Sequence, residues 1–212
     1  MNLVYKTIFG KIVRAEPLEP GHYEGLKIAA SDPRIWRYML IPDGYDEGFD
    51  PWLEGMVAKQ KKGEIYPYTI IKQDNNEVIG YCIFLNISIP FESLDYGCVW
   101  YNPKYWGQRK NKYTVEGTYL FQQLAFEVMG VRRWVLRTEA ENKASNKANI
   151  AMGATFEGIM RQDKLVRGTV WRNTAIYSIL KDEWPANKKR FVENLGYEIP
   201  VSEMLENPKI EA

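Results

Sequence analysis

The run from Tyr96 to Gly153 constrains this chain most, because it alternates a strand pattern and a helix pattern twice in quick succession. Tyr96-Gly-Cys-Val-Trp-Tyr101 is apolar, aromatic and β-branched, and Asn102-Pro103 stops it because proline has no N–H with which to extend a ladder. Trp106-Gly-Gln-Arg-Lys-Asn-Lys112 then sets Arg109, Lys110 and Lys112 just ahead of a helical pattern. Its apolar positions Phe121, Leu124, Ala125 and Val128 recur at i, i+3, i+4 and i+7, and Gly130 suits the left-handed residue that closes such a helix. A second strand follows at Arg133-Trp-Val-Leu-Arg-Thr138. After it Asn142 is a natural N-cap, Ser145 is spaced to return a hydroxyl to that cap, and Gly153 ends the helix after about three turns.

The amino terminus of a helix exposes unpaired N–H groups and carries about half a positive charge. Three basic residues beside one therefore mark either an anion site, with phosphate the first choice, or a solvated basic loop. The residues alone leave both readings open.

The order and spacing of these pieces resemble the acetyl-CoA-binding core of the GNAT N-acetyltransferase superfamily. Phe156-Glu-Gly158-Ile-Met-Arg161, then Arg172-Asn-Thr174-Ala-Ile-Tyr177-Ser-Ile-Leu180 and Glu183-Trp184-Pro185, look like the closing strands of the branch typified by ribosomal-protein alanine acetyltransferases. Ala15-Glu-Pro-Leu18 and Asp32-Pro-Arg-Ile-Trp36 share that look, so the resemblance covers roughly residues 10 to 195. It implies an α/β (α+β) fold: a single GNAT-like domain over residues 1–197, with a mixed, mostly antiparallel sheet flanked by helices and splayed strands at the acetyl-CoA site. Residues 198–212, polar and acidic with few apolar anchors, are expected to form a loosely held tail. The activity implied is direct transfer of an acetyl group from acetyl-CoA to a primary amine.

The same resemblance assigns roles to residues. Trp100 and Tyr101 become backbone contacts to the pantetheine, and Gln108, Arg109, Lys110, Asn111, Lys112, Tyr113 and Thr114 wrap the pyrophosphate. Asn142 sits beside the pantetheine arm, and Ser145 falls where related enzymes place a hydroxyl able to protonate the thiolate. Asp95 occupies the position of a glutamate that accepts the amine proton, directly or through water; its bland reading is an edge-strand carboxylate. Asp163 offers a second carboxylate. The loop departs from the family pattern in having Lys112 and Thr114 where small residues are usual, and a lysine there substitutes a point charge for close backbone approach.

Composition narrows the alternatives. At 45% hydrophobic and 26% charged the chain reads as globular, and no apolar run approaches the ~20 residues of a membrane span. No targeting segment is recognised, so a cytoplasmic location is expected. Cys82 and Cys98, both inside strand patterns, read as small packing residues. His22 is the only histidine, and no grouping of His, Cys and carboxylates suggests a metal. A net charge of +1 gives no general attraction to nucleic acid.

Elsewhere the pattern predicts an opening strand over Lys11–Leu18, a helix over Pro20–Ala30, and a helix starting at Asp50-Pro51 and ending near Gly63. Tyr66–Gln73 and Val78–Leu85 form a hairpin, Ile87–Leu94 a loop or irregular edge, and Phe156–Asp163 with Val170–Leu180 a hairpin around Arg167-Gly168. Pro185 opens a helix with Phe191, Val192 and Leu195 on one side. Trp36, Tyr38, Met39, Tyr66 and Tyr68 suggest either an aromatic approach for the acceptor or plain core. The acceptor is expected to be a peptide or protein N-terminal amine or a small-molecule amine, and a homodimer is an allowed assembly. The competing reading is a non-catalytic CoA-binding or protein-interaction module on the same fold.

Overall fold

The computed structural model describes residues 1–39, 45–106, 112–166 and 170–206. A short strand β1 (Ile8–Phe9) pairs with β2 (Val13–Pro17), followed by helices α1 (Tyr23–Ala29) and α2 (Tyr45–Lys61). Three strands come next, β3 (Tyr66–Lys72), β4 (Val78–Ser88) and β5 (Ser93–Tyr101), and then α3 (Tyr113–Gln123). The remainder is β6 (Arg133–Glu139), α4 (Lys143–Ala151), β7 (Thr155–Val166), β8 (Val170–Leu180), α5 (Trp184–Leu195) and α6 (Val201–Leu205). All eight strands join one sheet in the order β1-β2-β3-β4-β5-β6-β8-β7, and only β5 and β6 pair in parallel. This is the mixed, mostly antiparallel sheet expected.

Alternation along the strands sends side chains to two faces, and each face has its own apolar cluster. On one face Tyr96, Trp134, Leu136, Tyr177 and Ile179 pack beneath Tyr119, Phe121, Leu124 and Phe126 and against Trp184 and Phe191 of α5. Trp134 and Tyr96, with ring centroids 4.7 Å apart, sit at its centre. On the opposite face α1, α2 and the helical turn Pro33–Tyr38 between them cover Tyr81, Ile83 and Trp100 with Leu26, Trp36, Phe49 and Leu53, and that cluster includes no residue of β6, β7 or β8. The far half of this second face, beyond β5, therefore lies outside that apolar cluster.

Several expectations meet corrections. Asp50-Pro51 does not start α2; the helix begins at Tyr45 and carries Pro51 inside it. A proline there leaves a helical carbonyl without its N–H donor. Phe49 and Leu53, both buried against Trp36 and its neighbours, hold the turn on each side of it. Asp50 meets Lys27 of α1 at 2.7 Å instead of capping. Of Ile87–Leu94, expected as a loop or irregular edge, residues 89–92 form the loop of the β4–β5 hairpin and the rest extends the two strands, whose register is irregular between Leu85 and Ser88. The helix toward Gly130 changes to a π-turn over Leu124–Val128, with the Met129 N–H donating to the Leu124 carbonyl, before Gly130 closes it at φ +71°. In the described part of the expected tail, residues 198–206, Ile199 and Met204 are buried, and Gln123 Nε2 donates to the Ile199 carbonyl. Those two side chains supply the apolar anchors that a mostly polar segment conceals. Trp36 and Tyr68 are core rather than an acceptor approach. Among the described residues no helix is long and apolar enough to cross a membrane.

Candidate active site

The site begins where the sheet comes apart. β5 and β6 pair only at Ser93↔Arg133, Leu94↔Trp134 and Asp95↔Val135. Beyond Asp95 each strand keeps its other neighbour, β4 or β8, while their facing edges diverge. The cause lies in β5. Against β4, Gly97 pairs with Ile83 and Trp100 with Tyr81, so β5 carries one residue more than its partner there, and Cys98 takes φ +48°. Such a bulge bends the strand and re-aims its backbone groups. The outcome is a wedge between β5 and β6, with α3 beginning on one side of its mouth and α4 on the other.

Trp100 and Tyr101 line the β5 wall from within the sheet. Trp100 stacks on Tyr81 with ring centroids 5.9 Å apart, and the Tyr101 carbonyl accepts from Trp106 Nε1 at 2.8 Å. Tyr101 reaches α3 with its hydroxyl directly over Gly117, where a Cβ would collide with it. Glycine is needed at that position for close approach of helix and strand. Gln108, Arg109, Lys110 and Asn111 lie outside the described residues. Lys112 precedes α3, and its ammonium donates to the Leu195 carbonyl at the end of α5, with the Tyr197 ring 6.0 Å away. Its charge thus faces the carboxyl end of a helix. Tyr113 packs edge-on against Tyr105, and the Thr114 carbonyl accepts from Thr118 Oγ1.

Across the wedge, the Asn142 side chain caps α4 by accepting from the Ser145 N–H at 3.2 Å. The capping contact of Ser145 is therefore made by its backbone, and its hydroxyl is not the returning group. Asn149 Nδ2 donates to Thr138 Oγ1 and the Tyr177 hydroxyl to Asn146 Oδ1, which fix α4 to β6 and β8. Ser145 is half-buried on this anchored helix.

Asp95 sits at the base of the wedge, 5% exposed. It is not at a sheet edge, since β5 lies between β4 and β6. Asn86 Nδ2 and Arg137 Nε both donate to its Oδ2, at 2.8 and 2.6 Å. Cys98 is half-buried at the bulge, and loss of solvation pushes its thiol up to about 11 despite the nearby Lys164, Lys59 and Arg172. A thiol held protonated in this way is a poor nucleophile. Neither cysteine forms a disulfide.

A second polar group stands on the same face, and of its members the sequence singles out only Asp163. Arg172 of β8 is buried, and its Nε lies 3.5 Å from Glu139 Oε2. Desolvation holds its pKa below the ordinary arginine value, while Glu139 and Asp163 oppose that shift. Only the strand register brings Glu139 and Arg172 together, and no local pattern marks that pair.

The chain matches the acetyltransferase (GNAT) domain family over residues 13–155. Among solved structures, a GCN5-related N-acetyltransferase from Brucella melitensis is 28% identical, with a TM-score of 0.80 over 91% of this chain and 86% of that one. An acetyltransferase-like protein from T. thermophilus is 26% identical, with a TM-score of 0.80 over 92% of this chain and 100% of its own. The ribosomal-protein-S5-alanine acetyltransferase of Vibrio fischeri shares the fold at 15% identity, with a TM-score of 0.65 over 84% of this chain and 98% of that one. A comparison with curated proteins finds no significant match.

Proposed function

The chain belongs to the GNAT acetyltransferase family, and from that premise we propose that it acetylates a primary amine, on a peptide or protein amino terminus or on a small molecule, by direct transfer from acetyl-CoA. The observation that carries this reading is the end of β5–β6 pairing at Asp95↔Val135. Two strand edges that diverge after three paired residues leave main-chain groups facing one another across a gap. An extended arm bearing amide groups is recognised by such edges through main-chain hydrogen bonds.

The bulge at Cys98 supports the chemistry as well as the binding, since a bulge of this kind re-aims backbone groups of its strand. Donors already aimed at a carbonyl oxygen stabilise the charge that grows there, with little reorganisation. Bound acetyl-CoA supplies an activated acyl group and a thiolate leaving group. Ser145, half-buried on α4, is assigned the proton that the thiolate takes up. Asp95 is assigned the amine proton, directly or through water. Trp100, Tyr101, Asn142 and the segment from Gln108 to Thr114 are assigned to the donor. Ordering of both substrates in one wedge replaces a covalent enzyme intermediate.

The test is release of free thiol from acetyl-CoA in the presence of a panel of amines, peptide amino termini and amine-free controls. Release that depends on an amine is expected. Acetyl-CoA binding with no amine-dependent release would reduce the chain to a binding module and overturn this reading.

A further inference from the structure

We propose that Asn86 and Arg137 are positioning residues for the transfer: they hold one oxygen of the Asp95 carboxylate from the two neighbouring strands and so present its other oxygen to the amine. This inference rests on the transferase reading above and concerns the group to which that reading assigns the amine proton.

Three strands meet at a single atom. Asp95 of β5 belongs to the last pair before β5 and β6 diverge, opposite Val135 of β6 and Leu85 of β4. Asn86 Nδ2 donates to its Oδ2 from β4 at 2.8 Å, and Arg137 Nε donates to the same oxygen from β6 at 2.6 Å. Arg137 stands two residues past Val135, so its side chain reaches back across the gap at the point where the strands part. Its far end is held as well, with Nη1 3.7 Å from Met160 Sδ of β7. Oδ1 of Asp95 accepts from no described residue, and it keeps contact with solvent, since it is not one of the buried polar atoms that lack a partner.

The backbone of β4 is bent to make this contact. Phe84 lies in the main core and Leu85 packs on the opposite face, so strict alternation would send Asn86 into the core. Instead Asn86 and Ile87 together face the single Leu94 of β5 between the pairs Leu85↔Asp95 and Ser88↔Ser93, and Asn86 takes φ +49°. Ile87 then packs on the main core, while Asn86 turns back to the face of Asp95. A left-handed conformation costs energy in any residue but glycine, and asparagine bears it more readily than most. Backbone tolerance alone would explain an asparagine here, but not an amide aimed at a carboxylate that is 5% exposed at the base of the wedge. The carboxylate torsion of an unrestrained aspartate is broad. With both donors on Oδ2 the plane of the Asp95 carboxylate is fixed, and Oδ1 is the oxygen left to accept the proton of the attacking amine, directly or through water. A misplacement of about 1 Å at such a group costs on the order of 100-fold in rate.

The test takes the amine of the panel with the fastest turnover and reads kcat and KM separately, with the folded fraction fixed by thermal melting. Asn86→Gly keeps the left-handed backbone and deletes the amide, and Asn86→Asp keeps the shape but sets a second carboxylate against Asp95. Arg137→Met removes the other donor at equal reach, and Arg137→Lys is its conservative rescue. In Asn86→Gly kcat should fall about tenfold or more with KM for acetyl-CoA unchanged, since the lost interaction acts in the transition state. The fall should be larger in Asn86→Asp, and Arg137→Lys should recover part of what Arg137→Met loses. In an Asp95→Asn background Asn86→Gly should change kcat no further, because it acts only through Asp95. Wild-type kcat in both Asn86 variants, or the same Asn86→Gly loss with and without the Asp95 carboxylate, overturns this inference while leaving the transferase reading intact. Binding of acetyl-CoA without turnover of any amine overturns the transferase reading itself, and this one with it.

Discussion

Glu116 gives the sharpest stability test, because one buried carboxylate joins three parts of the fold. It projects from α3, is fully buried, and accepts from the Ile12 and Val13 N–H groups, both at 2.9 Å, and from the Tyr197 hydroxyl. Glu116→Ala orphans two backbone donors and a phenol. At about 1–3 kcal/mol for each unsatisfied buried group, reduced by relaxation toward water, the net loss is roughly 3 kcal/mol. For a chain of this size that is a fall in Tm of about 6–12 °C. Glu116→Gln should cost far less, since one amide oxygen still accepts from both N–H groups and the amide nitrogen can donate to Tyr197. The pH dependence adds a second check. Desolvation raises the Glu116 pKa above the ordinary 4.5, against hydrogen bonds from Tyr197, Val13 and Ile12 that lower it. With the folded value above the unfolded one, the contribution is fully present below the unfolded pKa and is lost as pH rises through the folded pKa. The stability of Glu116→Gln relative to wild type should therefore improve as pH climbs from 4.5, as read by urea melts across that window. A Glu116→Gln variant as damaged as Glu116→Ala, or one whose relative stability worsens as pH rises, would refute the reasoning.

Ser145→Ala should leave Tm nearly unchanged, because the cap uses the Ser145 backbone N–H, while kcat falls roughly 100-fold if the hydroxyl supplies the thiolate proton; equal kcat at equal folded fraction removes it from the mechanism. Asn142→Ala loses the cap itself and about 1 kcal/mol in thermal melts. Asp95→Asn leaves Arg137 unmatched at a partly exposed site and should cost about 1–2 kcal/mol, which a second change, Arg137→Gln, recovers. Stability restored together with turnover in that double variant would show that Asp95 is structural only. Gly117→Ala drives a methyl into the buried Tyr101 hydroxyl and should destabilise by about 1–3 kcal/mol, with Tyr101→Phe partly rescuing it in denaturant melts.

What could be read in advance was local. Pro103 after an aromatic run stops β5, Asn142 and Gly153 bracket α4, and the apolar spacing from Phe121 to Ala125 names the buried side of the helix after the wedge. Each is a signal carried within a few residues. What escaped depends on pairing at a distance. Pro51 reads as a helix start until Phe49 is seen packed against Trp36, with ring centroids 5.9 Å apart. Tyr68 reads equally well as a binding-site aromatic or as core, and only β3 between two strands and beneath Phe121 decides for core. The polar sequence after Tyr197 hides Ile199 and Met204, which find the surface of the main cluster. Glu116 looks like an ordinary helix carboxylate, since its partners lie at Ile12 and Val13. Glu139 and Arg172 come together only through the register of β6 on β8, which no spacing rule contains.

The central claim is that the wedge between β5 and β6 brings an acyl thioester and a free amine together for direct transfer. Its most direct test is a mass measurement of the amine after incubation with isotopically labelled acetyl-CoA, alongside the thiol released in the same tube. The account predicts one labelled acetyl group on the amine for each thiol released, with both signals suppressed by a bulky substitution for Gly97 beside the bulge. Thiol released without label on the amine, or label appearing equally without the protein, would contradict it.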